Sequence, residues 1–121
     1  MKYPLPELLD RASIEKLKEE RIPNYKSSFK NDALNYVVNL VDRTDLSKLF
    51  FLFDDLYEWN GKIWDLESDI RKGKEGELGL EEVGRRAIQI REFNNERIKV
   101  KNQIAEEFGG YKEVKHNHAS E

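Results

Sequence analysis

The chain has no cysteine, so disulfides, thiolate metal ligands and a thiol nucleophile are excluded. That composition is compatible with a reducing compartment, and the cytoplasm is the expected location. Charge of one sign is lacking too: 21 Lys and Arg face 24 Asp and Glu, interspersed along the chain, for a net charge of -3. Nucleic acid, which needs a basic patch against its phosphates, is therefore not an expected partner. No apolar run approaches the about 20 residues of a membrane span, and the start, MKYPLPELLD, has no continuous apolar stretch of the secretory kind. No membrane association is expected.

With 38% hydrophobic and 37% charged residues, the 121-residue chain suits one core and long helices, each with a buried stripe and a solvated remainder. The three prolines, Pro4, Pro6 and Pro23, all lie in the first quarter. Pro6 opens a first helix to about Arg21, with Leu8, Leu9, Ala12 and Leu17 on it, and Ile22-Pro23-Asn24 ends it. Ser27 or Ser28 caps a second helix that runs to near Asp42, with Ala33, Leu34, Val37, Val38, Leu40 and Val41 on one broad face.

Thr44 and Asp45 are the expected N-cap of a third helix, 46–71, whose stripe is Leu46, Leu49, Phe53, Leu56, Ile63 and Ile70. Gly73 can take the left-handed conformation that ends it. Glu81 and Glu82 complement the dipole at the start of a fourth helix, 80–108, with Leu80, Val83, Ala87, Ile90, Ile104 and Phe108 as its stripe. The short connection makes the two long helices antiparallel. The predicted fold is all-α: a helical bundle built on this hairpin with two shorter N-terminal helices, one domain over 1–110 and a tail over 111–121.

Two irregularities in the hairpin bear on function. Leu49-Phe50-Phe51-Leu52-Phe53 is apolar in every helical direction, so that level is either wrapped by the first two helices or forms an interaction surface. Phe50, Phe51, Phe53 and Trp59 are the residues expected to meet a second copy or a protein partner. The seam is also broken by polar residues, Asn60, Glu67, Asn94, Arg97 and Lys101. Centring the hairpin near residue 75 puts Asn60 opposite Ile90 and Arg91, and Arg97 opposite Asp54 and Asp55. Polar groups in a seam need partners, and they serve either as a register device or as a pocket.

Asp55 with Glu58, or Asp65 with Asp69, could share a Mg²⁺ ion on one helix face. The compact repeated glutamate pattern of all-α nucleotide pyrophosphohydrolases is lacking, and a solvated acidic face is the expected reading. His116 and His118 could ligate a metal from the tail, but two histidines alone specify no site.

Four stretches carry a resemblance: Glu7 to Ile14, Asn60 to Arg71, Asn94-Asn95-Glu96-Arg97 with Lys101, and Glu113-Val114-Lys115. In their order and spacing the chain resembles a family of short, uncharacterised bacterial and phage proteins, a domain of unknown function, whose members more often have Asn-Asp at the position of Asn94-Asn95. The resemblance implies a helical bundle with no established activity or cofactor. It also implies that Asn60, Trp64, Glu67, Arg71, Asn94, Arg97 and Lys101 belong together. Glu92 to Lys101 is similar to the long helix of all-α chorismate mutases, where arginine and lysine clamp two carboxylates; the sequence does not place the other cationic positions of such a pocket, and the similarity marks only what Arg97 and Lys101 could do.

The expected function is a non-enzymatic helical module for self-association or protein interaction. The alternative is a small all-α enzyme or ligand-binding domain whose polar cluster, Asn60, Glu67, Arg71, Asn94, Arg97 and Lys101, receives an anionic substrate or a Mg-nucleotide. No catalytic residue, metal site or cofactor is singled out.

Overall fold

The computed structural model describes residues 3–71 and 78–109. The helices are α1 (Leu5–Arg21), α2 (Ser28–Leu40), α3 (Arg43–Arg71) and α4 (Leu80–Glu107), and the described residues contain no strand. The fold is an all-α bundle on a long antiparallel hairpin, as the periodicity predicts. The tail 111–121, with His116 and His118, and Gly73 in the turn lie outside the described residues.

Local chemistry explains the helix ends. Pro6 sits in the first turn of α1, where its missing N–H costs nothing, and Ile22, before Pro23, is extended at φ −109°, ψ 118°. The Ser27 hydroxyl accepts from the Lys30 N–H at 3.0 Å and so caps α2, while the Ser27 N–H donates to Glu19 Oε2 at 2.7 Å. That second bond ties the cap of α2 to the side of α1. Helix α3 begins earlier than expected: the Leu46 N–H already donates to the Asp42 carbonyl at 3.1 Å, so Thr44 and Asp45 lie inside the first turn. Gly79, at φ 83°, precedes α4 in a conformation that only glycine adopts without strain.

The register of the hairpin is marked along its length. Lys48 pairs with Glu107 at one end, the Trp59 and Phe93 rings lie 5.5 Å apart further along, and Asp69 meets Arg86 at 2.6 Å towards the turn. Asn60 therefore faces the Asn94 to Arg97 region, about one helical turn from the expected Ile90 and Arg91. The same offset takes Arg97 away from Asp54 and Asp55.

Helix α1 lies across the hairpin, with Glu7 bonded to Lys101 of α4 and Arg21 to Asp65 of α3, and α2 packs on α1. The core forms where the helices overlap. Leu8, Leu9 and Ala12 of α1, Val37 of α2, Leu49 and Leu56 of α3 and Ile104 of α4 are all fully buried. Each of the leucines contributes roughly 1.5–3 kcal/mol relative to exposure.

Two expectations about the apolar stripes need correction. The Leu49 to Phe53 level is not buried all round: Leu49, Leu52 and Phe53 are in the core, Phe50 is half-buried, and Phe51 is 69% exposed. Leu80, 88% exposed, and Ala87 also face outward, and α4 buries only Val100 and Ile104. For Leu80 and Ala87 the reason is length, since α1 has 17 residues and α2 has 13, against 29 in α3. Among the described residues, the arm of the hairpin nearest the turn has only its own partner helix to pack on.

Candidate functional site: a polar cleft at the crossing of three helices

Asp10 and Ser13 sit on the core face of α1 at the same spacing as Leu17, and both are buried, Asp10 to 3% exposure. A carboxylate there requires donors. Asn60, the polar interruption in the α3 stripe, supplies them: its amide Nδ2 donates to Asp10 Oδ1 and to Ser13 Oγ, each at 2.9 Å. The Ser13 hydroxyl in turn donates to the Asp10 carbonyl at 2.7 Å. Helix α4 adds two cations. Lys101 bonds to Glu7 Oε1 at 2.7 Å and lies 3.7 Å from Asp10 Oδ2, while Arg97 Nε stands 3.8 Å from Asp10 Oδ1. The Lys101 hydrogen bond and the charges of Lys101 and Arg11 hold the Glu7 carboxyl below its ordinary value against a smaller opposing effect of burial.

A cleft of about 320 Å³ opens beside this network, lined by Ile14, Leu17 and Lys18 of α1, Asn60, Ile63, Trp64 and Glu67 of α3, and Asn94 and Arg97 of α4. Asn60, Trp64 and Glu67 share one face of α3 at steps of four and three, and Asn94 and Arg97 are three apart on α4. Four of the six residues of the expected cluster thus come together around one concavity. Lys101 lies next to it but is engaged by Glu7, and the side chain of Arg71 lies outside what the structure describes.

Arg97 is the unusual member. Its Nε is buried and has no hydrogen-bond partner among the described residues, because Asp10 is too distant to accept. Buried donors are nearly always satisfied. A guanidinium carries five donors in a planar fork, and Arg97, with its buried Nε towards Asp10, is one of the residues that line the cleft. Glu67, on the opposite side in charge, forms no ion pair among the described residues. Lys18 is already paired with Glu15 at 3.2 Å. The lining contains no hydroxyl, thiol or imidazole side chain.

Asp10, Ser13 and Lys18 were not in the expected cluster. A signal for the first two did exist, because a polar pair at positions 10 and 13 interrupts an otherwise apolar helix face.

The other candidate sites are less developed. Phe53 is enclosed in the core, Phe50 packs edge-on against it at 6.2 Å, and Trp59 is half-buried between Phe93 and the ammonium of Lys62, which lies 4.6 Å from its ring centroid. Of the four aromatics expected at an interface, only Phe51 faces outward. Of the acidic pairs, Asp65 and Asp69 are each held by an arginine, Arg21 at 2.5 Å and Arg86 at 2.6 Å. Burial, then the charges of Glu58 and Asp54, push the Asp55 carboxyl up. No group of three or more potential metal ligands occurs among the described residues, and no described helix is long and apolar enough to cross a membrane.

Comparison with protein-family models, curated proteins and solved structures yields no match.

Proposed function

We propose that the chain is a ligand-binding helical domain whose α1–α3–α4 cleft holds a small organic carboxylate on Arg97. The observation that carries this reading is a partly exposed arginine, Arg97, lining a cleft that also gathers Asn60, Glu67 and Asn94, with its Nε left without a hydrogen bond among the described residues. Trp64, Ile14, Leu17 and Ile63 give the ligand's apolar part a wall, and the mix of apolar lining with a few polar groups is typical of small-molecule sites. The Asn60 hydrogen bonds to Asp10 and Ser13 tie α3 to α1, the Lys101 bond to Glu7 ties α4 to α1, and together they keep the cleft formed without a ligand.

A ligand-observed NMR screen of simple aromatic and aliphatic carboxylates tests the reading. Hits that are lost in Arg97→Met and partly kept in Arg97→Lys, with the helical circular dichroism of both variants unchanged, support it. Hits that survive Arg97→Met refute it.

The expected self-association is a second reading, and the exposure of Phe51 beside the half-buried Phe50 favours it. It requires a solution mass above that of one chain, falling to one chain in Phe51→Ser.

A further inference from the structure

We infer that the ligand of the cleft is a zwitterion, an α-amino acid with an apolar side chain, an inference that rests on the ligand-binding reading above. Arg97 and Glu67 line the same concavity, yet they form no ion pair with each other, and Glu67 has no cation elsewhere among the described residues. Opposite charges on one small space, Arg97 3.8 Å from the Asp10 carboxylate and Glu67 without an ion pair among the described residues, suit a molecule that carries both signs. The carboxylate of an amino acid accepts from the Arg97 guanidinium, and its ammonium donates to Glu67. Asn94, one turn before Arg97 on α4, adds an amide for the same polar end. The side chain then rests on Ile14, Leu17, Ile63 and the Trp64 indole.

Charge and size discriminate against the other anions. A phosphomonoester or a nucleotide brings about two negative charges against the Glu67 carboxylate, a like-charge contact that a zwitterion turns into an attraction. The volume of about 320 Å³ lies at the small end of ligand pockets, which run from about 300 to 1,000 Å³. It suits one amino acid.

The test is an NMR titration of the full chain with L-phenylalanine and three analogues: 3-phenylpropanoate, which lacks the ammonium, phenethylamine, which lacks the carboxylate, and N-acetyl-L-phenylalanine. L-Leucine with 4-methylpentanoate, isopentylamine and N-acetyl-L-leucine forms a parallel series for an aliphatic preference. At least one of the two amino acids is expected to bind at least about tenfold more tightly than its analogues. Glu67→Gln should narrow the gap between the amino acid and its deaminated analogue, and Arg97→Met the gap to its amine. If the carboxylates without an ammonium bind as well as the amino acids, the zwitterion is refuted while the carboxylate site stands. A gap that persists unchanged in Glu67→Gln also refutes it. If no carboxylate of either series perturbs the cleft, both readings fall.

Discussion

Replacing Asn60 with leucine should expose how much of the fold hangs on one amide. Asn60 is 5% exposed and donates from a single nitrogen to a buried carboxylate and a buried hydroxyl, at 2.9 Å each. Leucine shares the branching of asparagine and is somewhat bulkier, so the change leaves no cavity and reads mainly the polar loss. A hydrogen bond to a charged group is worth about 1.5–3 kcal/mol and a neutral one about 0.5–1.5 kcal/mol. The Asp10 carboxylate keeps Lys101 and Arg97 only at 3.7 and 3.8 Å, beyond hydrogen-bond length, so little of its loss is recovered. The two losses together predict a destabilisation of about 2–4 kcal/mol. In urea, with a slope of about 1–3 kcal/mol per molar for small proteins, the midpoint should fall by roughly 1–2 M. Equilibrium unfolding followed by circular dichroism measures it. A loss below about 0.5 kcal/mol, the usual size of a surface effect, would refute the buried network. A double-mutant cycle with Asp10→Ala should then show a coupling of about 1 kcal/mol or more, since the two residues touch directly.

Other perturbations test the core, the backbone and the ion pairs. Leu56→Ala, at a fully buried site, should cost about 2–5 kcal/mol, whereas Phe51→Ser should leave monomer stability within about 0.5 kcal/mol; thermal melts at low concentration compare the two. Gly61→Ala is expected to stabilise the chain by about 0.5–1 kcal/mol, because the added methyl meets Leu17 Cδ2 at 3.6 Å, an ordinary contact, and alanine is the better helix former. A drop in melting temperature would contradict that spacing between α1 and α3. Glu7 titrates below its ordinary value of 4.5 because Lys101 bonds to it, so the pair contributes stability above pH 4.5 that is lost as pH falls through the depressed folded value. Lys101→Met should flatten that part of the acid limb of stability, read as urea midpoints between about pH 6 and pH 3; an unchanged limb would mean the pair is not formed in solution.

The hairpin was legible in the sequence because Leu49, Phe53, Leu56 and Ile63 repeat at helical spacing and Pro23, Ser27 and Glu81 mark helix ends by local chemistry. Periodicity does not say how far along a helix its neighbours extend, however. Leu80 and Ala87 belong to a regular stripe and still face outward, because α1 and α2 do not reach them. Phe51, 69% exposed, excludes the fully wrapped alternative for Leu49 to Phe53, since five apolar residues in a row imply burial only where every side has a partner. The polar seam was visible as Asn60, Glu67, Asn94 and Arg97 falling where apolar residues should repeat. Their partners were not visible, because Asp10 and Ser13 arrive from a helix whose path across the hairpin depends on tertiary packing. The register lies one turn from the one that a centre near residue 75 gives, with Arg97 opposite Asp54 and Asp55, because the length of a connection does not fix its centre.

The cleft's defining feature is the Arg97 side chain, and its Nε–H can be observed directly by NMR on ¹⁵N-labelled protein. Titration with a carboxylate found in the ligand screen should shift that resonance together with the Trp64 indole and Asn94 amide signals, while Phe51 and Trp59 stay unmoved. Shifts confined to Phe51 and Trp59, with Arg97 unchanged, would contradict the account.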